Sequence, residues 1–392
     1  MKFSMKNKAS LTIIFLTVFI DLMGFGILIP ILPTFASKEI GATDFQIGIV
    51  VAVFSFVQFI FNPILGRLSD RIGRRPVILS TQLITIISYL IFAFTNSLSL
   101  LIISRMIAGL GGSNIGVAQA YIADITTKED RAKGMGMIGA AFGLGFVFGP
   151  LIGAFLSKYG YPAAGFGAAA FSSLAFLFAL FKLPESITEK KYEQKFQFRI
   201  FDFAFTKKVL STPSIGILVI LFFVIIFSIA NIYGTLALLT YKVYHFSDQQ
   251  NGILFGITGL IGAIVQAGFM RTLSKKYSDK TIVIGGLIFM MIGLAFIPYG
   301  GNFLGLSIVV SILAVGSGIL QPIIPTMISK RSSENMQGSV LGVNQSLSAL
   351  ARVFGPLWGG FSFHYLGYQF PFLTGAFVTL LTIFFAYIFI KN

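Results

Sequence analysis

The chain has 392 residues, of which 55% are hydrophobic and only 11% charged, with a mean hydropathy of +0.87. Soluble domains carry about 25% charged residues, so a soluble fold is excluded and an all-α integral membrane protein is expected. There is no cysteine, and the two histidines, His245 and His364, lie far apart, which excludes disulfides, thiolate chemistry and a His/Cys metal site. The net charge of +15 would suit nucleic acid only if it sat on a basic surface domain. Here the basic residues fall in short segments between apolar runs, where membrane topology explains them.

About 20 apolar residues cross a bilayer, and twelve such runs follow one another: 11–35, 45–66, 76–95, 98–123, 134–158, 163–183, 214–241, 249–273, 281–299, 303–328, 337–361 and 370–390. The first follows the basic stretch MKFSMKNKAS. It is longer than a signal-peptide core and no A-x-A site closes it, so it reads as a retained helix. With both termini inside, 24 lysines and arginines fall in inner segments, and only Lys38, Lys158 and Lys242 fall outside. Positive residues mark the cytoplasmic side, so a multi-pass protein of the cell (inner) membrane is expected, with cytoplasmic N- and C-termini.

The longest connection separates residues 1–183, six runs, from 214–392, six more, with 184–213 as a cytoplasmic linker. The halves repeat. GFVFGPLIGA at 145–154 recurs as ARVFGPLWGG at 351–360, and LSDRIGRR at 68–75 has an echo, LSKKYSDK, at 273–280. Matching offsets at separate places predict two pseudo-symmetric six-helix halves, the architecture of transporters with a midplane site.

Particular residues stand out in chain order. Asp21 is the only charge between Lys8 and Lys38. An intramembrane carboxylate is costly and points to function by default. Two readings are open: a group that takes up and releases a proton as its hydration changes, or a structural hydrogen bond to a neighbouring helix. Gly24 and Gly26 leave space around it; Pro30 and Pro33 loosen the end of the helix. The loop GRLSDRIGRR, Gly66 to Arg75, is in part a topology anchor, but Asp70 adds nothing to a positive-inside bias. Arg105 lies well within the fourth run, at a cost of roughly 2.5–3.5 kcal/mol on insertion scales. It must face the bundle interior or a wet cavity, a buried structural arginine bonded to backbone carbonyls being one reading, and Gln119 falls near its stripe. Gly145, Gly149, Pro150 and Gly153 predict a kinked, closely packed fifth helix. Pro322 and Pro325 predict a break in the tenth. Arg352 has three readings: it binds an anionic substrate group, pairs with a carboxylate, or snorkels outward. Asn231, Gln321 and Asn344 are amides at membrane depth that line a cavity or bond helix to helix.

These motifs resemble those of the major facilitator superfamily over the whole chain, and most closely its twelve-helix drug:proton antiporters of the tetracycline and multidrug efflux type. GRLSDRIGRR fits the family's loop 2–3 motif, RMIAGLGGS at 105–113 its fourth-helix motif, and GFVFGPLIG at 145–153 its fifth-helix antiporter motif. DLMGFGILIPILP at 21–33 is similar to the first helix of tetracycline exporters. The resemblance implies a conformational latch built from Gly66, Asp70, Arg74 and Asp124. It implies proton coupling through Asp21 and Arg105. The second-half echo has Lys275 where the first half has Asp70, so that half is expected to lack the same latch.

The expected function is export of an amphipathic organic compound or drug in exchange for protons by alternating access. Carriage of a sugar, lipid or metabolite is the alternative, and a non-transporting receptor is less favoured. The partners are then a small-molecule substrate, protons and the lipid bilayer, with no nucleic acid, and the chain acts as a monomer. No cofactor is expected beyond the proton gradient, because no nucleotide-binding P-loop is present. An enzyme would need a nucleophile–base pair or metal ligands at depth, and neither is found in the sequence.

Overall fold

A computed structural model describes residues 5–127, 131–187, 203–333 and 336–390. Half of the expected linker, 188–202, lies outside them. Sixteen helices follow in chain order, and no strand occurs among the described residues. The first eight are α1 Met5–Leu28, α2 Leu32–Lys38, α3 Asp44–Ile72, α4 Arg74–Ala93, α5 Leu98–Gly111, α6 Ile115–Ile125, α7 Arg131–Leu156 and α8 Tyr161–Lys182. The second eight are α9 Phe203–Leu210, α10 Pro213–Lys242, α11 Asp248–Ile264, α12 Met270–Lys276, α13 Asp279–Phe296, α14 Phe303–Arg331, α15 Gln337–Tyr365 and α16 Phe370–Phe389.

Each of the twelve apolar runs falls on these helices. Among the described residues, ten stretches are long and apolar enough to cross a membrane. The other two runs fall on α11 and α15. The first is only 17 residues long and passes into a π-helical turn at Val265–Phe269. The second is long enough but carries Gln337, Asn344, Gln345, Arg352 and His364, which lower its apolarity.

Local chemistry explains most of the boundaries. Glycine in the left-handed region, φ +110° at Gly73, turns the chain between α3 and α4. Ser247 and Gln250 form a capping box at the start of α11, and Ser97, Ser278 and Asn302 cap α5, α13 and α14. The first apolar run divides at Pro30 into α1 and α2, and the fourth divides at a 3-10 turn, Gly112–Asn114. The tenth does not break: α14 runs through both Pro322 and Pro325. Prolines are tolerated in membrane helices because neighbouring groups re-satisfy the freed backbone.

The chain divides into two compact units, Met1–Ile31 with Phe56–Ile200, and Leu32–Ser55 with Phe201–Asn392. In the first, α1 packs on α7 and α8, and α4 on α5 and α8. The core is apolar, with Ile14, Val18, Leu22, Val117, Tyr121 and Ile138 buried together. Glycines set the α1–α7 spacing: the Gly26 Cα stands 2.6 Å from where a Gly149 side chain would begin, and Gly145 meets Leu22 at 2.8 Å in the same way. Small residues of this kind let helix backbones approach. The repeat is visible in the second unit, where α10 packs on α15. There Gly355 meets the backbone of Phe227 and Asn231, and Gly360 lies against Gly48 of α3. Large apolar side chains such as Phe94, Phe181, Leu304, Phe384 and Tyr387 are exposed, as surfaces facing lipid require.

Candidate functional site

The Asp21 carboxylate, in the C-terminal half of α1, is 8% exposed. Its two oxygens have separate donors. The Asn114 Nδ2 donates to Oδ2 at 3.0 Å, and the Ser172 hydroxyl of α8 donates to Oδ1 at 3.3 Å. Asn114 is presented by the 3-10 turn that splits the fourth run, so the local departure from α-helix places the partner. No basic side chain pairs with Asp21 among the described residues. The space above it is tight. A side chain on Gly24 would meet the Ser172 hydroxyl at 3.0 Å and the Tyr89 ring at 3.2 Å, so glycine there is a steric need.

Arg105 is not beside Asp21 as an ion-pair partner. It is 3% exposed on α5 and faces α4. Its Nη2 donates to Ser104 at 3.4 Å, and its guanidinium carbon lies 5.6 Å from the Phe92 ring centre. Its Nε has no partner. Tyr89 lies one turn before Phe92 on α4 and contacts the Asp21 helix at Gly24, so α4 stands between the two charged groups. Asn114, Ser172 and Tyr89 escape the sequence reading. The one signal available is an amide, Asn114, set in a run of small residues at membrane depth.

A second constellation forms at the α3–α4 turn. The Arg74 guanidinium, its side chain 9% exposed, reaches Asp70 at 2.6 Å and Asp124 at 3.0 Å. It also donates to the Ser69 hydroxyl at 2.6 Å and to the Gly66 carbonyl at 3.4 Å. Gly66, Asp70, Arg74 and Asp124 are thus brought together, linking the ends of α3, α4 and α6. Glu185, beyond the end of α8, joins them from a place that sequence reasoning did not mark. Its carboxylate accepts from the backbone N–H of Arg74 at 2.9 Å and of Arg75 at 3.3 Å. An acid on the free N–H groups at a helix start is favoured by hydrogen bonding and by the helix dipole. Ser186 adds a hydroxyl to Asp124 at 2.9 Å.

A third cluster lies in the second unit. Asp44, at the start of α3, pairs with Lys242 at 2.5 Å and with His364 Nδ1 at 3.6 Å. It too was not foreseen, because its members are 198 positions apart for the first pair.

The remaining marked residues are dispersed. Asn231 is fully buried and donates Nδ2 to the Pro371 carbonyl at 2.6 Å, while its Oδ1 has no partner. Gln119 is half-buried and Gln321 exposed. Asn344 is 2% exposed, with an unpartnered Oδ1. Ser348 returns its hydroxyl to the Asn344 carbonyl at 2.7 Å. Arg352, two turns past Asn344, is half-buried. No group of His, Asp or Glu suited to a metal occurs among the described residues.

The helical repeat, the glycine-packed pairs and the arginine-centred loop define a membrane transporter, and the chain belongs to the Major Facilitator Superfamily, whose profile it matches over residues 14–356 and again over 273–392. It is 30% identical over 363 residues to the class C tetracycline resistance protein of Escherichia coli, covering 90% of this chain and 89% of that one. It is also 30% identical over 384 residues to multidrug resistance protein 2 of Bacillus subtilis (strain 168), covering 97% and 95%. Among solved structures, the human organic anion transporter MFSD10 (TETRAN) superposes with a TM-score of 0.72 at 26% identity, covering 97% of this chain and 99% of that one. The nucleoside transporter NupG, at 14% identity, shares the fold with a TM-score of 0.79 over 97% and 99%.

Proposed function

We propose that this transporter is a secondary exporter that exchanges protons for an amphipathic organic compound by alternating access, with both termini cytoplasmic. The observation that carries the proposal is Asp21: a buried carboxylate with two neutral donors and no ion-pair partner among the described residues. Neutral donors hold the carboxylate in place without fixing its charge. A change in hydration as the site opens to one side and then the other therefore changes its affinity for a proton. A tight salt bridge would have pinned it in the ionised form. The names of the efflux relatives support a drug-like cargo.

The driving force comes from the gradient. A charge crossing 100 mV yields about 2.3 kcal/mol, and a pH unit about 1.36 kcal/mol. Two units of pH therefore support roughly a hundredfold accumulation per proton exchanged with a neutral compound. The Arg74 cluster serves as the latch: a multi-carboxylate lock at one mouth gives a two-state element that breaks as a unit.

The test is a susceptibility panel in cells with and without the expressed protein, followed by everted vesicles holding an imposed proton gradient. Compounds that protect only expressing cells should discharge the gradient when added to the vesicles. Protection without any discharge in such vesicles would remove the proton from the scheme.

A further inference from the structure

Arg352 sits at the middle of α15, fifteen residues after Gln337 and thirteen before Tyr365. At 1.5 Å per residue that is about 20 Å from either end, beyond the reach of an arginine side chain. Snorkelling to an interface is therefore excluded. Pairing with a protein carboxylate is no better supported. The acids beyond Asp202 are Asp248, Asp279 and Glu334. Asp248 begins α11 and accepts from Thr34 at 2.8 Å, and Asp279 begins α13 and pairs with Lys330 at 3.0 Å; Glu334 lies outside the described residues and inside a connection rather than an apolar run. Arg352 has neither an ion pair nor a hydrogen bond among the described residues, while remaining half-buried.

Its surroundings fit a ligand. Tyr233 of α10 lies within electrostatic range of it. On its own face of α15, Asn344 is a buried amide, whose Nδ2 is a hydrogen-bond donor suited to an anion. The repeat sharpens the point. The residue that matches Arg352 in the first half is Phe146, and the residue that matches Asp21 in the second half is Phe227. The first unit therefore carries a carboxylate on α1 and an arginine on α5, the second an arginine on α15, and that last arginine is an addition to the repeated packing rather than part of it. A charge at membrane depth costs several kcal/mol, and no carboxylate pairs with this one among the described residues.

We propose that Arg352, with Tyr233 and Asn344 beside it, is the docking point for the anionic group of the transported compound, an amphipathic molecule carrying a carboxylate or sulfonate. The guanidinium receives the anion through paired N–H donors. Asp21 makes no contact with the anion in this scheme, so its proton is released through the change in hydration that follows when the occupied protein switches state. This deepens the export reading and rests on it for transport, though not for binding.

The experiment uses purified full-length protein and three probes sharing one naphthalene body, bearing a sulfonate, a trimethylammonium or a neutral carboxamide group. Binding is measured by titration calorimetry, and discharge of a proton gradient in proteoliposomes is measured separately. The wild type should favour the sulfonate. Arg352→Gln should weaken sulfonate binding by roughly tenfold or more and leave the carboxamide unchanged; Arg352→Lys should recover part of it, and Tyr233→Phe should lose less. Equal sulfonate binding in wild type and Arg352→Gln overturns the proposal, as does preference for the trimethylammonium probe in the wild type. Should Arg352→Gln not purify as a monodisperse protein, Arg352→Lys and Tyr233→Phe carry the same comparison, and unchanged sulfonate selectivity in both overturns it. Arginine-dependent binding with no gradient discharge upholds the anion site and fails the antiport reading, so the two are separable.

Discussion

Arg74→Ala is the perturbation whose size the structure sets most closely. The guanidinium is 9% exposed and holds two carboxylates of unequal exposure, Asp70 at 48% and Asp124 at 27%. At about 4 Å, unit charges interact by about 1 kcal/mol in water and about 4 kcal/mol at the effective dielectric of a protein surface. Asp70 is nearly half in solvent, so its pair lies at the low end, about 0.5 kcal/mol. Asp124 is more shielded and its pair should reach about 1–2 kcal/mol. The alanine also removes a donor to Ser69 and the link between α3, α4 and α6, so the whole substitution should cost about 2 kcal/mol, less than a fully buried pair. Thermal unfolding of purified Arg74→Ala, Asp70→Asn, Asp124→Asn and the two double variants measures the couplings directly. A larger coupling for Asp70 than for Asp124, or couplings near zero for both, would refute this reasoning. A loss of that size also shifts a two-state transporter by roughly thirtyfold, so export should fall while the amount in the membrane stays constant.

Three further outcomes are expected. Gly149→Ala should destabilise by about 1–3 kcal/mol, because its new methyl meets the Gly26 backbone at 2.6 Å, whereas Gly139→Ala, which has open space, should be neutral in the same melting assay. Glu185→Gln should cost about 0.5–1 kcal/mol by weakening the charge at the start of α4, and amide exchange at Arg74 and Arg75 should quicken. Asp44→Asn removes the acid shared by Lys242 and His364. It should lower the melting temperature by an amount equal to about 1 kcal/mol, an effect that shrinks in the Lys242→Met background.

Much of this arrangement is written locally. Twelve apolar runs give the helices, and the loop spacing puts Asp70 four residues before Arg74, close enough to pair without help from the fold. What the sequence hid is contact across the fold. Asn114 and Ser172 reach Asp21 from 93 and 151 positions away, and nothing in their own neighbourhoods announces it. Glu185 looks like a loop acid; only the turn at Gly73 shows that it faces the open end of a helix. Arg352 could be placed at mid-helix from sequence, but that Asp248 and Asp279 are engaged by Thr34 and Lys330 is visible only in the fold. The prolines mislead in the opposite direction. In water Pro322 and Pro325 would end a helix, whereas at membrane depth the peptide groups have no better partner than the helix itself.

Proton release on substrate addition tests the central role of Asp21 most directly. Detergent-solubilised protein in weakly buffered solution, given a compound identified by the susceptibility panel, should acidify the medium. Asp21→Asn, which keeps the shape and the Asn114 and Ser172 surroundings, should bind the compound yet release no proton, and in vesicles it should equilibrate the compound without accumulating it. Proton release of wild-type size from Asp21→Asn, together with uphill extrusion, would contradict the account and leave Asp21 as a packing group.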